Sequence, residues 1–185
     1  MKKIFILAGV GFLVACNDSQ SKEETTSKSP ESMVATTEDL VYPYPVNFAN
    51  FKSDDQKNTE TVLNIWKYWD SGDVAEQKKY WADTIEAHGW DGFYVKAGRD
   101  SFVVTARQFR SNFSSIVSSV NGVISFSGIN KTTGKDENWA AVWGKRLLTD
   151  TKGKTDSMWL HEAWRFNKDG KADALFQFTA KISPL

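Results

Sequence analysis

The sequence predicts an α+β fold in which about three N-terminal helices pack in the concave face of a strongly bent, mostly antiparallel sheet. Two observations predict it. Apolar residues recur at helical spacing in the first part of the folded region and at every second position in its last third. Helices followed by strands with short turns are typical of α+β domains. The chain has 185 residues, which suits a single domain.

Composition and charge narrow the range of functions. The chain is 41% apolar and 25% charged, as in globular proteins, and its 23 basic residues balance 23 acidic ones. It has no Lys/Arg-rich run that could neutralise several phosphates, so nucleic acid is not an expected partner. The two histidines, His88 and His161, have no close ligand spacing, so neither a metal nor another cofactor is expected.

The N-terminus is typical of an exported lipoprotein. Lys2 and Lys3 precede an apolar run, Ile4 to Ala15, that is too short to span a bilayer, so residues 1–15 are predicted to be a signal peptide. The run ends in Leu-Val-Ala-Cys, which resembles the bacterial lipobox. This predicts a lipid on Cys16, the only cysteine, and anchoring in the cell envelope with the outer membrane as the expected site. Residues 21–24 (SKEE) resemble a surface-export signal but equally suit a solvated linker, so the membrane face stays open.

Residues 16–47 are predicted to form a lipidated, disordered tether. From Asn17 to Leu40 the chain is rich in Ser, Thr, Glu and Lys and has no aromatic residue. Such a segment buries too little apolar surface to offset the entropy of ordering. The folded domain is therefore predicted to span residues 48–185, where all eight tryptophans lie.

The first predicted helix follows a capping-box pattern at Ser53–Gln56. Its apolar face is formed at i, i+3, i+4 and i+7 by Val62, Ile65, Trp66 and Trp69. Gly72 is suited to end it in a left-handed conformation.

Two further helices and a strand are predicted before the sheet-rich region. A second capping box, Asp73–Glu76, predicts a short helix to about Trp81, and Thr84 to His88 can extend as a strand. Gly98-Arg99-Asp100 precedes a third helix. Its apolar residues at helical spacing are Phe102, Ala106, Phe109, Phe113 and Ile116.

Four alternating runs follow, each predicted to place its named residues on one strand face. They are Val120/Gly122/Ile124/Phe126, Trp139/Ala141/Trp143, Met158/Leu160/Glu162/Trp164/Phe166 and Ala172/Ala174/Phe176/Phe178/Ala180. Asn167 to Gly170 is predicted to form the hairpin turn between the last two.

The order of these elements and three short motifs resemble the nuclear-transport-factor-2-like (NTF2-like), or SnoaL-like, cone fold. The motifs are Gly72-Asp73, Trp81-Ala82-Asp83, and Arg165-Phe166-Asn167 before Gly170-Lys171, and the resemblance covers about residues 51–181. It implies a cystatin-like α+β barrel with a conical pocket between sheet and helices. Members include isomerases, dehydratases, cyclases and non-catalytic binders, so the fold alone does not identify a function.

Similarity to the ketosteroid-isomerase branch implies which site positions are occupied. The family's catalytic aspartate falls on Gly89 and its oxyanion tyrosine on Ile65, and neither side chain can do that chemistry. The family's buried oxyanion acid falls on Glu162. Asp91, expected two positions beyond Gly89 on the same strand face, is the candidate replacement base, so Glu162 and Asp91 are the candidate catalytic pair.

A ligand pocket is predicted from the same alignment and from the apolar faces of the first helix and the third run. Its tryptophans suit either a cavity for a flat ligand or an ordinary core. The candidate lining residues are Ile65, Trp66, Trp69, Leu160, Glu162 and Trp164.

Three functions are consistent with the sequence. The first is a non-catalytic module that binds a small apolar or amphipathic ligand, or a partner protein, in or beside the pocket of Glu162 and Trp164. The second is an enzyme that transfers protons between Glu162 and Asp91 in an isomerase- or dehydratase-like reaction. The third is a structural interaction protein that forms a homodimer through the sheet face bearing Trp159, His161 and Arg165.

Overall fold

The structure, a computed structural model, describes residues 43, 45–48, 51–54, 56–89 and 91–182. All of them belong to one compact unit, Asp39–Leu185. The predicted signal peptide, Cys16 and most of the predicted tether lie outside the described residues.

Three helical elements precede or interrupt the strands. Helix α1 spans Lys57–Ser71, a 3₁₀ helix spans Val74–Tyr80, and α2 spans Arg99–Arg110. They pack on one face of the sheet, called the inner face below; the opposite face is the outer face. None of the helices among the described residues is long and apolar enough to cross a bilayer.

The strands form one strongly curled seven-stranded sheet in the order β1-β4-β5-β6-β7-β2-β3. All neighbouring pairs are antiparallel except β2 and β7. The predicted α+β class with a bent, mostly antiparallel sheet is confirmed. The strands are β1 Lys52–Ser53, β2 Trp81–His88, β3 Tyr94–Gly98, β4 Phe113–Asn130, β5 Lys135–Asp150, β6 Thr155–Phe166 and β7 Ala172–Lys181.

Helix α1 has the predicted apolar face but a different start. Val62, Ile65 and Trp66 are buried, and Gly72 ends the helix at φ 86°, in the left-handed region that favours glycine. The predicted capping box is wrong, because Ser53 pairs with Phe126 of β4 and the helix begins only at Lys57.

Three other predictions about where helices and strands begin or end are wrong. Asp73 precedes the 3₁₀ helix but does not cap it, since its carboxylate accepts a hydrogen bond from the Ser71 hydroxyl (2.9 Å). Helix α2 ends at Arg110, so Phe113 and Ile116 belong to β4 although their spacing continues the helical period. Strand β2, which directly follows the 3₁₀ helix, begins at Trp81, three residues earlier than predicted.

Strand β6 has the predicted alternation, whereas β7 does not. Leu160, Glu162, Trp164 and Phe166 are buried on the inner face. In β7 the pairing register shifts, so that Ala172 pairs with Phe166 but Ala174 pairs with Arg165. The extra residue reverses the face of the following residues. The prediction that all five residues share one face is wrong, and Phe176 and Phe178 lie on the outer face.

The core lies between α1, α2 and the inner face. Its largest fully buried side chain is Trp81, whose ring contacts those of Phe102 (4.8 Å between centroids) and Trp164 (5.2 Å). Val62, Ile65 and Trp66 of α1 complete the same cluster. Helix α1 is therefore bound to the sheet directly across the position of Glu162.

Candidate functional site

Glu162 is the only acidic side chain buried in the described core, with 2% of its surface exposed. Three N–H groups donate to its carboxylate. The indole Nε1 atoms of Trp66 and Trp164 lie 2.6 and 3.2 Å from Oε2, and the Gln177 amide nitrogen lies 2.7 Å from Oε1. The carboxylate therefore joins α1, β6 and β7, and both of its oxygens have donors.

Arg146 accompanies this carboxylate and was not predicted. It is only 7% exposed, and its guanidinium lies 4.7 Å from the centre of the Trp66 ring. Burial lowers the pKa of Arg146 below its usual value, while the negative charges of Glu162 and Asp70 oppose that shift. Trp66 thus contacts both charges, the cation with its ring and the anion with its N–H.

A hydrogen-bonded chain extends from Arg146 to the end of α1. The guanidinium Nε donates to the Ser118 hydroxyl (2.9 Å), and that hydroxyl donates to Asp70 (2.8 Å). The Ser118 backbone N–H also donates to Asp70 (2.8 Å). One sequence signal could have found Arg146: it continues the buried alternation Ala140, Val142, Gly144 of β5.

The predicted pocket residues are brought together as packed core. Ile65, Trp66, Leu160 and Trp164 are all buried in one cluster around Glu162. Trp69 is half-buried and stacks on Phe109 instead (6.2 Å between centroids). Among the described residues, no acceptor lies within hydrogen-bond distance of the Trp69 indole N–H.

Asp91 does not lie opposite Glu162. It is exposed, in the turn between β2 and β3, and its carboxylate accepts the backbone N–H of Phe93 (3.0 Å). The prediction that it shares a strand face with Gly89 is wrong, because β2 ends at His88. A Cβ added at Gly89 would lie 3.1 Å from both Asp91 and Phe93, so the turn also crowds the family's base position.

Two depressions of the described surface lie away from Glu162. One, of about 530 Å³, follows the solvent side of α1 between Gln56 and Lys67. The other, of about 250 Å³, lies at the start of α2 beside Asp83 and Arg99. Neither is lined by Glu162 or by a tryptophan.

The two histidines lie on the outer face, on strands separated by β7. His88 stacks on Phe176 (4.6 Å between centroids) and lies 3.2 Å from Glu86. His161 contacts the rings of Trp143 and Phe178, both at 6.4 Å. Within the described residues, no group of three or more His, Cys, Asp or Glu side chains could hold a metal ion.

The outer face carries an exposed set of aromatic and basic side chains, called the aromatic patch. Trp143, Trp159 and Phe178 are 39%, 42% and 60% exposed, although their strands lie in the middle of the sheet. Large apolar side chains exposed together are typical of interaction sites, so this patch is a candidate one. The patch comprises Ile124, Trp143, Lys145, Trp159, His161 and Phe178.

Comparison with known proteins gives a match at the level of structure. No protein-family model and no curated protein matches the chain. An NTF2-like protein of unknown function from Burkholderia pseudomallei superposes with a TM-score of 0.53 at 17% identity, covering 67% of this chain and 91% of that one. The chain has the NTF2-like fold.

Other proteins of NTF2-like shape superpose equally well and differ in activity. An LEH-like epoxide hydrolase from M. tuberculosis gives a TM-score of 0.53 at 8% identity, covering 68% of this chain and 84% of that one. A candidate SnoaL-like polyketide cyclase from Shewanella denitrificans gives 0.53 at 9% identity, covering 66% and 90%. At such identities the likeness establishes the NTF2-like fold alone.

Proposed function

We propose that this protein is a non-catalytic binding module, anchored to a membrane by lipid on Cys16, that binds its partner with the outer face of its sheet. One observation carries the proposal. Glu162, which fills the family's acid position, is held by three N–H donors from three elements and is almost fully buried. A carboxyl bound in this way is not accessible to a substrate.

A proton-transfer reaction finds little support in the geometry. General acid–base catalysis needs an acid and a base within reach of one substrate. Glu162 is buried inside the domain, whereas Asp91 is exposed in a turn and binds its own backbone. Gly89 and Ile65 offer no other acceptor or donor at the family's remaining positions.

The packed interior also favours a surface site over an internal pocket. Trp66 and Trp164 occupy the space in which the small apolar or amphipathic ligand was expected. The aromatic patch, by contrast, presents three large rings to solvent on the central strands. A homodimer through this face, including Trp159, His161 and Arg165, is the second candidate, because the patch crosses β5, β6 and β7 without interruption.

The proposal is tested by measuring whether the outer face is covered in living cells. Ser119 is exposed and lies in the same row of the sheet as Lys145 and Trp159, while Ser101 is exposed on α2. Ser119→Cys and Ser101→Cys are labelled with a maleimide reagent in the envelope and in detergent-purified protein. The parent chain, whose only cysteine is Cys16, gives the background labelling that is subtracted.

A bound partner predicts that labelling of Ser119→Cys is slow in cells and fast after purification, whereas Ser101→Cys labels equally fast in both. Adding Trp143→Ala and Trp159→Ala should restore fast labelling in cells. If Ser119→Cys labels in cells as fast as Ser101→Cys does, nothing covers this face and the proposed function is wrong.

A further inference from the structure

We infer that the partner of the aromatic patch is the surface of a phospholipid membrane, on which the domain rests through Trp143, Trp159 and Phe178. This inference rests on the proposed function, since it names what covers the outer face. Three features of the patch favour lipid over a second copy of the chain: its side-chain types, its charge, and the place where the chain enters the domain.

The side chains suit the boundary between lipid headgroups and acyl chains. Tryptophan is enriched at that boundary because its ring is apolar and its N–H is polar. Trp143 and Trp159 are 39% and 42% exposed and share the outer face with Phe178 and Ile124. The ring of Trp143 lies directly over Gly122 and covers the sheet at that position.

The charge of the patch matches an anionic surface. The Lys145 ammonium lies 4.5 Å from the centre of the Trp159 ring, and His161 lies beside Trp143. The three neighbouring rows that cross β4 to β7 through Lys145, Trp143 and Ala141 contain no acidic residue on the outer face. Phosphate groups of anionic lipids would neutralise Lys145.

A second copy would not supply that negative charge. Three carboxylates on the outer face, those of Glu86, Glu137 and Asp173, already have partners within the domain, and Glu86 lies 3.2 Å from His88. Glu137 accepts the Trp139 indole N–H (3.0 Å) and Asp173 accepts the Arg165 Nε–H (2.8 Å). Two patches packed against each other would therefore bring basic side chains together without acidic partners.

The chain enters the domain on the same face as the patch. Phe48 contacts the ring of Trp139 (6.2 Å between centroids), and Phe51 contacts Phe126 (4.8 Å). Both Trp139 and Phe126 lie on the outer face, since they pair with each other and with Arg165. Entry of the chain on this face is compatible with a membrane that lies against the patch.

The test measures the distance of each face from the acyl chains. The full lipid-anchored chain carrying Ser119→Cys or Ser101→Cys is labelled with an environment-sensitive fluorophore. It is then reconstituted into phosphatidylethanolamine–phosphatidylglycerol vesicles with brominated acyl chains, which quench only nearby fluorophores. We expect a blue shift and quenching at position 119 and neither at position 101.

Variants of the patch and a control outside it test whether the quenching depends on the patch. Trp143→Ala with Trp159→Ala should abolish quenching at position 119, and Phe93→Ala, an exposed aromatic residue in the β2–β3 turn region, should leave it unchanged. Equal quenching at both positions overturns the inference. A dimer would also overturn the inference. In that case the protein sediments as a dimer, the Trp143→Ala/Trp159→Ala double variant sediments as a monomer, and the fluorophore at position 119 remains unquenched. That last outcome retains the proposed function, because the outer face is then covered by a second copy.

Discussion

At the scale of single residues, Glu162 allows a structural role to be separated from a catalytic one. Glu162→Gln keeps the size of the side chain but places an amide donor among three N–H donors and removes the charge near Arg146. We expect the free energy of unfolding to fall by about 2–4 kcal/mol, measured by urea denaturation. Glu60→Gln, on the exposed side of α1, should change it by less than about 0.5 kcal/mol. A Glu162→Gln protein more stable than the parent would indicate a carboxyl held for function at the expense of stability.

Arg146 and Glu162 are expected to be coupled through Trp66, which contacts both. Arg146→Met should leave two carboxylates without their buried cation and lower the free energy of unfolding by roughly 2–4 kcal/mol. In a double-mutant cycle, the Arg146→Met/Glu162→Leu double variant should lose roughly 1–3 kcal/mol less free energy of unfolding than the sum of the losses of the two single variants. Additive effects would show that the two charges do not interact.

The sequence predicted Glu162 but not Arg146, and the reason is physical. Glu162 stands between Leu160 and Trp164 in an alternating run, so its inward direction follows from strand geometry. Arg146 occupies an equivalent place in β5, but glutamate and arginine are both mostly exposed in proteins, and only Glu162 falls on a position that the family resemblance marks. Its burial depends on Ser118 and Asp70, which the fold brings together from distant parts of the chain.

At the scale of elements, local periodicity predicted α1 and β6 and failed where pairing between strands decides. The spacing of Phe109, Phe113 and Ile116 fits a helix, yet β4 begins at Phe113 because the chain there pairs with β5. In β7 one extra residue near Asp173 reverses the inward face, and no pattern in that strand indicates it. Strand register is set by partners far away in sequence, so it is the part of the fold that the sequence predicted least well.

Substitution of Gly122 in β4 and of Gly144 in β5 tests how closely the backbones of these two strands approach each other. A Cβ at Gly144 would overlap the backbone carbonyl of Ser119, whereas a Cβ at Gly122 would overlap only the side chain of Trp143. Gly144→Ala should therefore lower the free energy of unfolding by roughly 3 kcal/mol, and Gly122→Ala by about 1–2 kcal/mol, measured by thermal unfolding. Trp143→Ala should relieve the cost of Gly122→Ala but not that of Gly144→Ala. Equal costs for the two glycines would contradict a closer approach of the two backbones at Gly144 than at Gly122.

At the scale of the whole molecule, the order of elements and three short motifs predicted the NTF2-like fold, but they did not predict whether its interior is open. That depends on how the large rings pack. Trp66, Trp81 and Trp164 fill the region around Glu162 and give it its donors. An open or a filled cone is compatible with the same helices and strands. The sequence did predict an exposed sheet face with Trp159 and His161, but the extent of the proposed binding surface depends on the exposure of individual side chains.

Attachment to the membrane and folding of the domain are expected to be independent. Residue 16 precedes the domain, whose core lies within residues 57–182, so the lipid should fix location without contributing to stability. We therefore expect Cys16→Ser to move the protein from the membrane fraction to a state that alkaline carbonate extracts, with loss of incorporated labelled palmitate. Its thermal unfolding in detergent should stay within about 1 °C of the parent, since the hydrophobic core is formed by residues 62–175. A Cys16→Ser protein that resists extraction would show that another segment holds it to the membrane. The quenching experiment on that variant would then show whether the aromatic patch alone holds the protein on the bilayer. Binding through tryptophan and lysine side chains is reversible and weakens as salt is added, so quenching at position 119 should decrease with salt.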